Sequence, residues 1–556
     1  MSDILSLKEN NCKDCYKCIR TCPVKAINFS NNQAQIIPEE CVLCGNCFVA
    51  CPQKAKQIRS DVKLVKAAIS AGRKVVCSLA PSFIADFPVQ RVQDMATALQ
   101  ALGISEVEET AVGAQMVSDA YAELMRTHQQ SVIITSACPA VNLLVQKYYP
   151  TLIPSLAKVL SPAQAHCTLL KERWPDCFTV FIGPCIAKKD EADTHNAMDA
   201  ALTYDELRQW LTDSNVTLPL AGQAEGEGQL ARFYPAVGGI LKTTQAVPGY
   251  SRLAIDGVLN CRNALEELQE GKFQNVFIEM SACEGSCING PCIREHRARW
   301  VNGALRVNQF AGSSRYAVAE PAPAIHRDFA FLGGRPVTFG GEAIRAMLQK
   351  MGKDSPEKEL NCGSCGYATC REKAIAILQG KAEINMCLPF LKEKAESFSD
   401  TIIHNTPNAI LVMNEQLEVQ QMNHAAVKLF HLTGDSDMLH ENIVRLLDPE
   451  PYRNAVVQAR NTVGNCRYLA EYQLYIEETI LYDRQFQIVI AIMRDVTERE
   501  NMRLASESLR RRTVETTDRV IDKQMRVVQE IASLLGETTA ETKLALSNLK
   551  DAMNRE

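Results

Sequence analysis

No apolar run in this chain approaches the roughly 18 residues that a membrane-crossing helix needs; the longest, near Val489 to Met493, is far shorter. A membrane span is therefore not expected. Charge of one sign is lacking too. The 60 Lys+Arg stand against 65 Asp+Glu, a net charge of -5, and such a balance creates no basic field to draw the chain onto nucleic acid. Histidine is scarce, nine in all; none follows His440, and no Gly-rich nucleotide loop follows it either. The chain is thus no complete histidine kinase, and any signal it generates must pass to a separate effector. Met1 to Asn10 contain Asp3 and Glu9 and no apolar stretch, which suits a cytoplasmic chain rather than a secreted one. At about 150 residues per domain, a length of 556 residues suggests three to five domains.

Cysteine is what the chain has in plenty, 22 residues, and in a reducing compartment close CxxC spacing points to metal ligands rather than disulfides. The N-terminal stretch reads Cys12, Cys15, Cys18, Cys22-Pro23 and repeats as Cys41, Cys44, Cys47, Cys51-Pro52. Each half has the CxxCxxCxxxCP spacing of two-cluster bacterial ferredoxins, in which three thiolates hold one 4Fe-4S cube and the fourth serves the other. Cys12, Cys15, Cys18 and Cys51 are expected on one cluster, and Cys41, Cys44, Cys47 and Cys22 on the second. Zinc would leave the third cysteine of each triplet unexplained. A further quartet, Cys362, Cys365, Cys370 and Cys387, is read as a third 4Fe-4S cluster. A four-thiolate zinc site is the alternative there.

Three middle segments share one layout, a β-rich run, a cysteine and a helical pattern: Ser131 to Thr135 before Cys138-Pro139, Phe178 to Ile182 before Cys185, and Asn275 to Glu279 before Cys283 and Cys287. Strand-then-helix order implies parallel strands, whose ligands gather at the carboxyl ends. Cys138, Cys185, Cys283 and Cys287 are therefore expected to converge on one buried metal site. Six cysteines remain, Cys77, Cys167, Cys177, Cys261, Cys292 and Cys466, expected mostly as small buried hydrophobes.

Thr135-Ser136-Ala137-Cys138-Pro139, Pro184-Cys185 with Lys188 and Glu191, and Ser281-Ala282-Cys283-Glu284-Gly285-Ser286-Cys287 resemble the three loop motifs of the FeFe hydrogenases, TSCCP, PCxxKxxE and MACPGGCxxGGG. The resemblance covers Met1 to about Met351. It implies that Cys138, Cys185, Cys283 and Cys287 hold the 4Fe-4S part of an H-cluster, with Cys287 bridging to a di-iron unit carrying CO, cyanide and an azadithiolate. It also implies that Lys188 hydrogen-bonds a cyanide, that Glu191 orients that ammonium, and that Ala80-Pro81-Ser82 form the loop over the di-iron unit. For Lys188 and Glu191 taken alone, an exposed helical ion pair is the bland alternative. Departures from the pattern matter as much. Ala137 stands where catalytic members have a proton-passing cysteine, Ala120-Tyr121 lack the expected acidic pair, and Gly183 and Ser281 replace two methionines. Ser161 and Glu123 are expected to substitute in part for the proton path. A positioned acid or base typically contributes 10²–10⁴-fold, so slow turnover is the expectation.

From about Ser397 the order of strand-like Ala409 to Met413, a second strand to Met422, helices to Leu447, paired strands ending in Gln485 to Arg494 and a closing Asp495-Val496-Thr497-Glu498-Arg499 resembles a PAS domain. Its four histidines, His404, His424, His431 and His440, are read as ordinary residues, with haem ligation by one of them the alternative. Beyond Glu500, Val514, Ile521, Val528, Leu535 and Leu549 recur every seven residues, with Met525, Ala532, Leu546 and Met553 at the second apolar position and Asp518, Thr539 and Thr542 interrupting. That seam favours a two-stranded coiled coil over a helix packed on its own PAS domain.

The expected class is a multidomain α/β chain: a two-cluster ferredoxin domain over 1–60, an H-cluster domain over 61–340, a small 4Fe-4S domain over 341–396, a PAS domain over 397–499 and a coiled coil over 500–556. The resemblance implies a sensory FeFe hydrogenase of low turnover from an anaerobic bacterium. Implied partners are H2 and protons, ferredoxin or another redox protein, hydrogenase maturation proteins, a downstream effector and a second copy of the chain. The alternatives are a ferredoxin-linked catalytic hydrogenase, and a non-catalytic iron-sulfur redox or assembly protein lacking the di-iron unit.

Overall fold

The structure, a computed structural model, describes residues 4–8, 11–219, 228–293, 300–318, 323–334 and 337–553. It divides into two compact units, Met1–Leu391 and Lys392–Glu556.

The first unit opens with a cysteine-rich lobe. Its strand Leu5–Leu7 pairs antiparallel with Lys56–Ile58, so the lobe closes on itself. Two short helices, Lys17–Thr21 and Asn46–Ala50, carry Cys18 and Cys47, and each opens from a left-handed residue, Tyr16 and Gly45. The internal repeat is thus a repeat of backbone as well as of spacing. A later segment packs onto this lobe: Cys365, Tyr367, Ala376, Ala382 and Met386 share one apolar cluster with Cys18, Ile19, Cys22 and Cys47. Backbone carbonyls tie the two together, Lys25 Nζ donating to Gly366 at 2.8 Å and Arg20 to Ser364 at 2.9 Å.

The centre of the unit is built on two parallel sheets. One runs in the order Glu106–Glu109, Val75–Leu79, Phe178–Gly183, Ala200–Thr203; the other in the order Ser251–Asp256, Val276–Ser281, Val132–Ile134. Apolar residues on both faces of strands such as Val75–Leu79, where all five are buried, explain why helices cover these sheets on each side. The three cysteine-bearing strands therefore do not share a sheet. The strand before Cys185 lies in the first, and those before Cys138 and Cys283 lie in the second.

Helices start where the sequence supplies caps. Pro139 and Pro162 occupy first helical positions, and the Ser161 hydroxyl accepts from the Gln164 N–H, a pairing suited to a residue that has no N–H to satisfy. Helices Ala111–Thr127 and Pro162–Arg173 approach closely at Gly113. A Cβ there would meet the Pro162 carbonyl oxygen at 2.2 Å and His166 at 2.7 Å.

The second unit is a five-stranded antiparallel sheet in the order Val419–Met422, Ala409–Asn414, Ile488–Asp495, Leu474–Asp483, Thr462–Leu469. Leu411, Met413, Ile443, Tyr452, Ile476 and Met493 fill its core. The four histidines, His404, His424, His431 and His440, are all exposed. The expected border at 396/397 falls inside a single helix, Leu388–Asn405, because no residue between Pro389 and Asn405 breaks helical geometry. Helix Thr497–Met553 runs 57 residues. Val514, Ile521, Met525, Val528, Leu535, Leu546 and Leu549 are exposed along it. Packing of this seam on its own PAS-like sheet is therefore not what the fold shows; the side chain of Met553 lies outside the described residues.

Gly113→Ala is expected to lower stability by about 1–3 kcal/mol through overpacking, read as a fall in thermal midpoint, because the close approach is to rigid backbone.

Candidate metal centre

The carboxyl ends of five strands from both sheets meet at one place. Ala80, Pro81 and Ser82 follow Val75–Leu79, Thr110 follows Glu106–Glu109, Cys138 follows Val132–Ile134, Cys185 follows Phe178–Gly183, and Cys283 and Cys287 follow Val276–Ser281. All of them, with Ala137, Lys188 and Glu279, line a cavity of about 110 Å³. Strand ends are where parallel sheets leave loops free to bind, and here two sheets supply them.

The four thiols surround this cavity in mutual electrostatic reach. Burial pushes the Cys185 thiol up to about 12, with Cys138 and Cys287 adding to it. Burial and Cys138 push Cys287 up to about 11 against the pull of Lys188. Cys283 is raised well above a normal thiol by burial, then by Cys185, Cys287, Cys138 and Cys44. Cys185, Cys283 and Cys287 therefore resist ionisation as bare thiols, and bound cationic iron is what makes thiolate favourable. The donor set thus fits a polynuclear iron-sulfur group. Among the described residues no three His, Cys, Asp or Glu close on a single metal-ion position; the cysteines stand on the cavity walls.

Lys188 is nearly buried and Glu191 fully so, with side-chain exposures of 8% and 1%. They are no surface ion pair. The Lys188 ammonium donates to Glu191 Oε2 at 2.5 Å and to the Ser161 hydroxyl at 2.8 Å, and that hydroxyl donates to the same carboxylate oxygen at 2.8 Å. Arg327 reaches the other oxygen at 3.3 Å. Holding a buried cation this way costs desolvation energy that its partners only offset, so the ammonium at the cavity wall needs a reason beyond stability. Ser82 shares a hydrogen bond of 2.7 Å with the buried Tyr204 hydroxyl, which fixes the Ala80–Ser82 loop.

The departures from the hydrogenase motifs have visible consequences. A Cβ on Gly183 would lie 2.5 Å from the Phe181 ring, and Phe181 itself lines the cavity, so the ring takes the space a larger residue at 183 would need. Tyr121 is buried and its hydroxyl accepts from the Ser136 N–H at 2.9 Å, a structural tie beside the apolar Ala137. Glu123 is exposed and paired with Arg126 at 2.9 Å, so it does not stand at the cavity as a substitute relay. Ser161 is in place but committed to Lys188 and Glu191.

Two cavity residues escaped the sequence reading. Glu279 sits in the central strand of its sheet, 3% exposed, and accepts N–H groups from Gly238 at 2.9 Å and Leu241 at 3.0 Å. Burial outweighs these bonds and raises its carboxyl to about 7. A carboxylate inside the run Val276-Phe277-Ile278-Glu279 was the available signal. Thr110 closes the edge strand just as Ala80 and Cys138 close theirs, a position legible only once the strand is known.

The other cysteines also group. Cys22 adds to the charge felt by Cys41, Cys44 and Cys47, all raised chiefly by burial, and Cys44 lines the central cavity too. Cys18, pushed up to about 11 by burial, has Cys12 and Cys15 as neighbours. Cys51 accepts from the Ala55 N–H at 3.3 Å. Cys362, Cys365, Cys370 and Cys387 line a separate small cavity with Lys353, Tyr367 and Lys373. Lys373 is 1% exposed, Tyr367 3%, and among the described residues the Lys373 Nζ and Tyr367 hydroxyl have no hydrogen-bond partner. Buried orphans are costly, and an anionic four-thiolate cluster would accept from both, so this pocket fits one. Of the remaining six cysteines, Cys77, Cys167, Cys177, Cys261 and Cys292 are buried and Cys466 is exposed.

Residues 73–251 and 239–291 match the C-terminal domain of the iron only hydrogenase large subunit. Residues 11–55 match a 4Fe-4S dicluster domain, 359–389 a putative Fe-S cluster and 397–496 the PAS fold. Iron hydrogenase 1 of Clostridium pasteurianum is 26% identical over 373 residues, 52% of this chain and 64% of that protein. The nuclear prelamin A recognition factor of Homo sapiens is 23% identical over 46% of this chain and 74% of its own length. The cytosolic Fe-S cluster assembly factor NAR1 of Kluyveromyces lactis is 34% identical over 15% of this chain and 19% of its own length. A solved apo FeFe-hydrogenase HydA1 from Chlamydomonas reinhardtii superposes with a TM-score of 0.41 at 18% identity, covering 50% of this chain and 100% of that one.

Glu279 has a signed pH effect. Its folded value, raised to about 7, gives stability that is full below about pH 4.5 and is lost as pH rises through 7. The loss is about 3 kcal/mol, and Glu279→Gln is expected to flatten the thermal midpoint between pH 5 and 8. If Cys362–Cys387 hold an iron-sulfur cluster, Lys373→Met is expected to lower its reduction potential by roughly 60 mV or more, a tenfold change in a one-electron equilibrium, with Lys373→Arg close to wild type in an EPR-monitored titration.

Proposed function

We propose that this chain, in which the C-terminal domain of an iron-only hydrogenase large subunit stands beside a 4Fe-4S dicluster domain, a putative Fe-S cluster segment and a PAS fold, is a sensory hydrogenase. It takes up H2 at the central cavity, interconverts it slowly with protons and electrons, and reports the redox state to a separate effector. The observation that carries this reading is the buried Lys188 ammonium at the cavity wall, held by Ser161 and Glu191 beside Cys287. A bare cube has no use for a costly buried cation; a cyanide-bearing di-iron unit would accept its hydrogen bond.

Bound in this cavity, an H-cluster would supply the iron at which H2 is split heterolytically. The protein's residues divide the rest. Cys138, Cys185, Cys283 and Cys287 hold the group, and Ala80–Ser82 and Phe181 wall it in. Lys188 orients it, and Glu191 and Arg327 keep that ammonium in place. Ala137 offers no acid or base where one would speed turnover. Electrons have a continuous run of thiols to follow: Cys44 lines the cavity, Cys22 groups with Cys41, Cys44 and Cys47, and Cys365 packs in the apolar cluster that also holds Cys18 and Cys22. Three 4Fe-4S clusters beside the H-cluster make this a wire ending at Cys362–Cys387.

The PAS-fold unit and the exposed seam of Thr497–Met553 support an output stage that works as a dimer. A seven-residue apolar seam left bare on a 57-residue helix favours a second copy of the same helix. The kinship with NAR1 and prelamin A recognition factor keeps one other reading in play, an iron-sulfur protein without the di-iron unit.

Infrared spectra decide between them. Protein made with the hydrogenase maturation machinery is expected to show bands of iron-bound CO and cyanide; their absence in a cluster-replete sample would overturn the H2 reading. In that material Ala137→Cys is expected to raise H2 turnover at least about tenfold, measured against an artificial electron acceptor.

A further inference from the structure

The cavity wall at Thr110 is the inner end of a line of polar groups that leads to the surface. The Thr110 hydroxyl shares a hydrogen bond of 2.7 Å with the Ser78 hydroxyl, Ser78 one of 2.8 Å with His166 Nδ1, and His166 Nε2 lies 3.4 Å from Glu108 Oε2. Ser78 and His166 are 0% exposed, whereas the Glu108 side chain is 25% exposed and paired with the solvent-facing Arg173. The path thus begins in the cavity, crosses a fully buried zone and ends in water. We propose that Thr110, Ser78, His166 and Glu108 form a proton wire between the central cavity and solvent, in place of the route that Ala137 and Ala120 leave without acid or base. This rests on the H2 reading above and adds the path its protons take.

The fold sets the wire up. Ser78 and Glu108 are register partners in adjacent parallel strands, so their side chains rise from one face and a single imidazole spans them. His166 is pressed onto that face because its helix meets the neighbouring helix at Gly113, where no side chain intervenes. The donors all point outward. With Glu108 accepting from Nε2–H, Nδ1 is left to accept from Ser78, and the Ser78 oxygen to accept from Thr110. Burial pushes the Glu108 carboxyl up, but His166 and Arg173 outweigh it and hold it below the usual glutamate value, so the outer end stays an ionised acceptor.

The transfer balances. A proton delivered to the Thr110 oxygen sends the Thr110 hydroxyl proton to Ser78, the Ser78 proton to Nδ1 and the Nε2 proton to Glu108, which releases it to water: one proton enters and one leaves. For each H2 oxidised this happens twice, while two electrons pass to the clusters. Resetting the wire needs two hydroxyl rotations and the return of the buried imidazole from its Nδ1–H to its Nε2–H tautomer by proton exchange, and such a wire is slow, as a sensor tolerates. A line of the same groups serving only to tie helix Pro162–Arg173 to the sheet would conduct nothing.

Two measurements test this. In matured protein, the H2-driven change of the CO and cyanide infrared bands is followed by rapid mixing in wild type, His166→Gln and Glu108→Gln. Both variants are expected to slow it about 10- to 100-fold and to enlarge its solvent isotope effect, with the resting bands unmoved. In 15N-histidine-labelled chain without the di-iron unit, exchange of the His166 Nε2 proton with water is compared between wild type and Glu108→Gln, a partly exposed position that leaves the core intact. The wire predicts slowing of at least about tenfold. Unchanged band kinetics and unchanged exchange overturn the wire and leave the H2 reading standing. Absence of CO and cyanide bands in every variant overturns the H2 reading, and exchange then decides the wire by itself: slowed in Glu108→Gln it stands, unchanged it falls.

Discussion

Everything in the first unit turns on the cost of holding thiolates out of water. Cys185, Cys283 and Cys287 are pushed toward the protonated form by burial and by one another. Their ionised forms are favourable only against bound positive charge, so metal and fold stabilise each other. The same constraint recurs at Cys41, Cys44 and Cys47, where burial is again the leading cause. A chain with this many buried thiols is built to be completed by iron and sulfide.

In the proposed sensor two currents would part at this cavity. Electrons would follow cysteines, from the cavity wall at Cys44 through the N-terminal lobe to the segment packed against it. Protons would follow buried polar side chains near the carboxyl ends of Glu106–Glu109 and Val75–Leu79 instead. Lysines mark the electron side. Lys25 and Lys147 spend their ammonium groups on backbone carbonyls, whereas among the described residues the Lys373 ammonium has no hydrogen-bond acceptor and lies near Cys365 and Cys387.

The mixture of kept and lost motif residues has a physical logic. The cysteines and the Lys188–Glu191 pair of the motifs are all present, because a missing thiol or ammonium would leave a buried charge or void. The replaced positions are Ala137 and Ala120, which carry no acid or base, and Gly183 and Ser281, where smaller residues stand in place of methionines.

Spacing along the chain was enough to expect Cys138, Cys185, Cys283 and Cys287 around one cavity, since the three strand–cysteine–helix segments are local patterns. Periodicity likewise sufficed for the PAS-like sheet and for the bare seam of the last helix. It did not show that the cysteine-bearing strands belong to two sheets, because strand order and partner choice depend on side-chain packing between distant segments. Burial of Lys188 and Glu191 against Ser161 and Arg327, the surface position of Glu123, and the line from Thr110 to Glu108 were equally out of reach. The position of Glu123 depends on which face of its helix packs inward, and the others join residues far apart in sequence, whose hydrogen-bond geometry exists only after the chain has closed on itself.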